Sequence, residues 1–174
     1  NYGWKIGPEN VAVTNGGQTA FFSLFNLLGG VGEDGGMRRI LFPLMPEYIG
    51  YAEQGLSEGM LVGAPSRIEL RGESEFKYHV DFAALPWDES VAAACVSRPT
   101  NPTGNVLSHE ELRHLHALCR ERGSLLIIDN AYGTPFPNIL FKDEEPFWGE
   151  GVVLTYSLSK LGLPGTRTGI VIGP

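Results

Sequence analysis

Four clusters in this chain have residue types and spacings suited to chemistry on an anionic ligand that carries a carbonyl. Ser157-Leu158-Ser159-Lys160 sets a primary amine beside two hydroxyls, and Gly165-Thr166-Arg167 follows closely. A lysine amine can form a Schiff base, and a guanidinium near hydroxyls suits a phosphate. Asp129 closes the apolar run Leu125-Leu126-Ile127-Ile128, with Tyr132 three residues later; a carboxylate there is either a helix cap or a functional charge. Arg98-Pro99-Thr100-Asn101-Pro102-Thr103-Gly104 is stiffened by two prolines, which hold the Asn101 amide in place or merely turn the chain. Asn15-Gly16-Gly17-Gln18-Thr19 is a glycine turn that can aim backbone N–H groups at an anion. Each cluster alone also reads as an ordinary turn, cap or solvated loop.

The elements between them explain why they belong together. Val11-Ala12-Val13-Thr14 reads as a strand, and Phe21, Leu24, Phe25 and Leu28 recur at helical spacing behind the glycine turn. Further strands are expected at 39–44, 60–64, 92–97, 125–129, 152–156 and 169–172, with Pro65 ending the third and a short helix over 48–54. Ser108 and Glu111 form a capping box for a helix carrying Leu112, Leu115 and Cys119. The segments 29–36 and 71–76 read as surface loops. Seven strands alternating with helices predict a three-layer αβα sandwich, with a mostly parallel seven-stranded sheet in one α/β domain. In such sheets ligands sit at the carboxyl ends of the strands, and that edge is where all four clusters fall.

Composition narrows the classes of partner. Twenty acidic residues against 13 basic ones give a net charge of -7, with no clustered basic run, which argues against a nucleic-acid backbone as partner. The longest apolar runs are a few residues, far short of the ~20 that a spanning helix needs, so no membrane role is expected. Cys95 and Cys119 read as buried free thiols of a reducing, cytoplasmic compartment. His79, His109, His114 and His116 lack paired metal-ligand spacing and are expected at the surface, with no metal site. The chain opens at Asn1 and stops at Gly173-Pro174, directly after a strand-like run, so a piece of a longer protein is expected.

Asn101-Pro102-Thr103-Gly104, Asp129-Asn130-Ala131-Tyr132 and Ser157-Leu158-Ser159-Lys160 with Arg167 resemble the signatures of the fold-type I pyridoxal-phosphate enzymes, specifically the class I/II aminotransferases, in that family's order. The resemblance implies that residues 1–174 are the cofactor-binding large domain. By the same comparison the N-terminal arm, the small domain and the arginine that receives the substrate carboxylate are missing. The isolated chain is therefore expected to be inactive. Asn15-Gly16-Gly17-Gln18, the run from Asp129 to Pro137 and the stretch from Ser157 to Gly169 look most like a branch that handles small aliphatic donors of the valine and alanine type, with 2-oxo acids such as pyruvate as acceptors.

The resemblance also implies roles. Lys160 holds pyridoxal 5'-phosphate as a Schiff base and moves a proton, Asp129 pairs with the ring nitrogen, and Tyr132 and Asn101 reach the phenolic oxygen. Arg167 and Ser157, with backbone N–H groups of Gly17 and Gln18, hold the phosphate. Tyr48 stacks on the ring. A homodimer is implied as well. Three readings stay open beside it: a C–S lyase or decarboxylase using the same cofactor, a non-catalytic cofactor-binding regulatory domain, and an unrelated flavodoxin-like nucleotide binder, which leaves Lys160, Asp129 and Asn101 without a shared task.

Overall fold

The computed structural model describes residues 2–140 and 144–174. In chain order its elements are β1 (Val11–Thr14), α1 (Gly17–Leu28), β2 (Gly30–Val31), β3 (Met37–Met45), β4 (Leu61–Arg71), β5 (Glu75–Val80), β6 (Val91–Ser97), α2 (His109–Glu121), β7 (Leu125–Asp129), β8 (Val152–Ser157) and β9 (Gly169–Ile172). The strands form one sheet in the order β1-β9-β8-β7-β6-β3-β4-β5, with β2 against β3. Strands β4, β3, β6, β7 and β8 pair in parallel, whereas β9 is antiparallel to both β8 and β1. The sheet is mixed.

The central strands are legible because both of their faces are buried. Ala94, Val96, Leu126, Ile128, Val152 and Leu154 face a core that α2 completes with Leu112, Leu115 and Cys119. The alternate residues Ala93, Cys95, Ile127 and Val153 face the opposite core, where α1 contributes Phe21 and Phe25. Period-2 alternation thus divides one apolar run between two helical layers. Helix α2 starts as its capping box dictates: the Ser108 hydroxyl accepts from the Glu111 N–H at 3.1 Å, and the Glu111 carboxylate accepts from the Ser108 N–H at 3.0 Å. Such a cap contributes about 1 kcal/mol.

Several expectations are corrected. All seven expected strands are present, but among the described residues the sheet has nine. Pro65 does not end its strand; β4 continues to Arg71. The β3 ladder closes at Met45↔Pro65 and the β5 ladder opens at Ser66↔Val80, so the missing N–H falls at the handover between two ladders. The segment 71–76 is the tip of the β4–β5 hairpin rather than a loop alone, and 29–36 contains β2. Over 48–54 there is only one 3-10 turn, Ile49–Tyr51.

Both cysteines are buried and free. His79 is not a plain surface residue: its ring bridges Glu69 at 2.5 Å and Glu111 at 2.9 Å, tying the edge hairpin to the start of α2. No group among the described residues is arranged to hold a metal, and no described helix is long and apolar enough to cross a membrane.

Candidate functional site

Register builds the site. Ser97, Asp129 and Thr155 are aligned partners across β6, β7 and β8, so three polar side chains stand in a row at the strand ends, one step beyond the apolar row of Cys95, Ile127 and Val153. Above them opens a cleft of about 210 Å³. Gly17, Gln18, Tyr48, Asn101, Asp129, Tyr132, Ser157, Lys160 and Arg167 all line it. The nine residues singled out from the sequence therefore meet in one place. Phe21, Ala131, Thr155, Tyr156 and Ser159 complete the lining.

One end of the cleft is electropositive by construction. The first-turn N–H groups of α1 have no carbonyl of their own helix to bind, and the N-cap, Gly16, supplies no side-chain hydrogen bond. Arg167 reaches this end from the turn before β9, its Nη1 donating to Ser159 Oγ at 3.3 Å. Ser157 belongs here too, with its Cβ 3.8 Å from where a Gly17 side chain would start. Gly16 has φ +89, and a Cβ on it would lie 2.5 Å from the Arg167 guanidinium. A Gly16→Ala substitution thus combines a strain of about 1–3 kcal/mol with displacement of Arg167. The expected result is a roughly 10-fold or greater loss of affinity for a phosphate-bearing ligand, read by titration. Unchanged affinity would show that this turn does not position the arginine.

The same cleft carries a carboxylate. Asp129 is 8% exposed. Its Oδ1 accepts from the Ala131 N–H at 2.8 Å and from the Thr155 hydroxyl at 3.5 Å, and its Oδ2 accepts from the Tyr51 hydroxyl at 2.5 Å. Burial raises its pKa, while these three donors oppose the rise. Lys160 lies on the loop after β8 with its Nζ 5.3 Å from the centre of the Tyr132 ring. The Tyr48 hydroxyl accepts from the Gln18 amide at 3.2 Å, and its ring meets Tyr51 edge-on at 5.4 Å. The Asn101 loop is pinned to the end of β6, since the Thr100 hydroxyl donates to the Ser97 carbonyl at 3.1 Å and the Thr100 N–H to the Asn105 carbonyl at 2.9 Å.

Arg98 begins the same loop but turns away from the cleft. Its buried guanidinium serves the Leu107 and Glu145 carbonyls at 2.9 Å each and Glu144 at 2.6 Å, which anchors the loop from below. The sequence reading missed the groups behind Asp129: Thr155, Tyr51, Ser97 and Glu47. The only linear trace of them is Tyr51 following Tyr48 by three residues in Pro46-Glu47-Tyr48-Ile49-Gly50-Tyr51.

The mixed α/β sheet matches the fold of solved pyridoxal-phosphate-dependent aminotransferases. The chain matches the aminotransferase class I and II family over residues 61–174 and belongs to that family. It is 57% identical over 170 residues to the valine–pyruvate aminotransferase of Escherichia coli (strain K12), covering 98% of this chain and 41% of that protein. The crystal structure of valine-pyruvate aminotransferase from Salmonella typhimurium LT2 is similar at 51% identity with a TM-score of 0.89, covering 99% of this chain and 42% of that one. The chain spans about two fifths of the length of these relatives.

The cofactor of the family is pyridoxal 5'-phosphate, and the donor set fits it. A helix start with Arg167 and Ser157 suits the phosphate, Lys160 suits the aldehyde, Asp129 suits a protonated ring nitrogen, and Asn101 and Tyr132 suit an anionic phenolic oxygen.

Proposed function

We propose that this chain is the cofactor-binding part of an aminotransferase that moves an amino group between a small aliphatic amino acid, valine or alanine, and a 2-oxo acid such as pyruvate. The working unit is a cytoplasmic homodimer. The observation that carries this reading is the convergence of Lys160, Asp129, Asn101, Tyr132 and Arg167 on a single cleft. The likeness to valine–pyruvate aminotransferases supports the choice of substrate.

Pyridoxal phosphate, when bound, supplies a protonated pyridine ring that accepts the electron pair left at the substrate Cα. The protein's part is to hold and move protons around it. Lys160 Nζ would hold the cofactor at its aldehyde and, when free, would carry the Cα proton as general base and general acid. Asp129 keeps the ring nitrogen protonated by charge pairing, and its own position is set by Ala131, Thr155 and Tyr51. Tyr132 and Asn101 donate to the phenolic oxygen and stabilise its anion. Arg167, Ser157 and the start of α1 would bind the phosphate and so restrain the cofactor within the cleft that Asp129 also lines.

The test is release of keto acid by the intact, cofactor-loaded protein from a panel of amino acids, with pyruvate or 2-oxoisovalerate as acceptor. Valine and alanine are expected to turn over fastest. Elimination from a sulfur-bearing amino acid without net transamination would move the protein to the C–S lyase reading.

A further inference from the structure

Behind Asp129 four oxygen-bearing side chains stand in line. The Tyr51 hydroxyl donates to Asp129 Oδ2 at 2.5 Å, Tyr51 Oη and Ser97 Oγ are 3.0 Å apart, and Ser97 Oγ is 2.7 Å from Glu47 Oε2. All four residues are buried, Glu47 being 7% exposed. Each of the three oxygen-to-oxygen contacts needs one proton. The two hydroxyls supply two. Were both carboxyls ionised, both hydroxyl protons would point outward to the ends of the line, and Tyr51 and Ser97 would meet oxygen to oxygen with no hydrogen between them. The line is complete only when one terminal carboxyl is protonated, so Glu47 and Asp129 share a single negative charge.

The surroundings decide where that charge rests. Asp129 stands at the floor of the cleft, where the proposed function gives it a cationic partner in the ring nitrogen. Glu47 Oε1 accepts from the Ser97 N–H at 2.9 Å and Oε2 from the Tyr48 N–H at 3.2 Å, but among the described residues it has no cation to pair with. The charge that acts on it is that of Asp129 on β7, an acid, and Glu47 in turn raises the pKa values of Tyr51 on its own turn and Cys95 on β6. Phe42, Met45 and Leu61 of β3 and β4 line the apolar groove beside it.

The geometry points to Glu47 as a proton-holding positioning residue: neutral, it donates to Ser97, Ser97 donates to Tyr51, and Tyr51 donates to Asp129, which fixes the single negative charge on the carboxylate that faces the cofactor. Burial, the largest cause, pushes the pKa of Glu47 up to about 7 against donation from the Ser97 and Tyr48 backbone and from the Ser97 hydroxyl; once the carboxyl is neutral that hydroxyl is released to turn toward Tyr51. The consequence for catalysis rests on the functional reading above; the protonation itself does not.

The experiment follows glutamate carboxyl ¹³C resonances of the intact protein against pH, with and without pyridoxal phosphate. The Glu47 resonance is identified by its loss in Glu47→Gln and, independently, by its movement in Ser97→Ala. It is expected to titrate at about pH 7 rather than near 4.5. Glu47→Gln keeps an N–H donor toward Ser97, so it should hold the cofactor within about threefold of wild type while losing the step in the pH profile of turnover near neutrality. Glu47→Leu and Tyr51→Phe, which break the line, should each weaken cofactor binding about tenfold, no more than loss of the Asp129 charge itself. A Glu47 resonance in the ordinary carboxylate range overturns the assignment, as does a Glu47→Gln variant that loses the cofactor to the extent that Glu47→Leu does. Failure to bind pyridoxal phosphate at all would sink the functional reading instead, and the cofactor-free titration would still decide this one.

Discussion

Lys160→Ala in the intact protein is expected to lower transamination by ~10⁴-fold or more, the upper end of what a positioned general acid and base contributes. The effect is this large because in the proposed function one amine does two things, attaching the cofactor and carrying the Cα proton, and no other lysine among the described residues lines the cleft. Arg167 cannot substitute, since a guanidinium stays protonated. Phosphate contacts survive the substitution, so the variant should still take up pyridoxal phosphate without covalent attachment. Borohydride reduction of the loaded wild-type protein followed by peptide mapping should label Lys160 and leave the variant unlabelled. Labelling at Lys5 or Lys77, or turnover within tenfold of wild type, would refute the assignment.

Asp129→Asn is expected to cut turnover on the order of 10³-fold, the scale seen when one preorganised electrostatic partner is removed, while changing cofactor affinity about tenfold or less. Asparagine has the same shape, and its carbonyl can still accept from the Ala131 N–H that now meets Oδ1. What it lacks is charge. In the proposed function the ring nitrogen then loses the partner that keeps it protonated, and the electron pair at Cα loses its acceptor. In the proposed function the phosphate is held by Arg167, Ser157 and the start of α1, which do not depend on that charge. Steady-state kinetics alongside absorbance titration separates the two effects. A variant with near wild-type turnover would mean that Asp129 does not act on the ring nitrogen.

Much of this was readable along the chain because the informative residues are neighbours in sequence. Lys160 lies three residues from the end of β8, and Asp129 is itself the last residue of β7; a continuous apolar run closed by a polar residue announces both strand and site. Ser108 and Glu111 announce the start of α2 in the same local way. The edge was harder to read. Nothing near Pro65 says that β4 leaves one ladder and joins another there, because that depends on β5, whose partner residues lie 4 to 14 positions further along the chain. The hairpin that results binds His79 between Glu69 and Glu111, an arrangement with no trace in the spacing of the histidines.

What the sequence determined by itself is therefore seven of the nine described strands, the helices α1 and α2 and the identity of the residues at the strand ends, since each follows from local patterning of apolar and polar groups. Tertiary structure alone decided what stands behind them. Tyr51 and Asp129 are 78 positions apart, and Ser97 and Glu47 are 50 apart. They meet because the register of β6 on β7 puts Ser97 beside Asp129 and because the turn after β3 folds Glu47 and Tyr51 over that row. The proton on Glu47 depends on burial and on a count of hydrogens across four side chains, and neither quantity exists until the chain has folded.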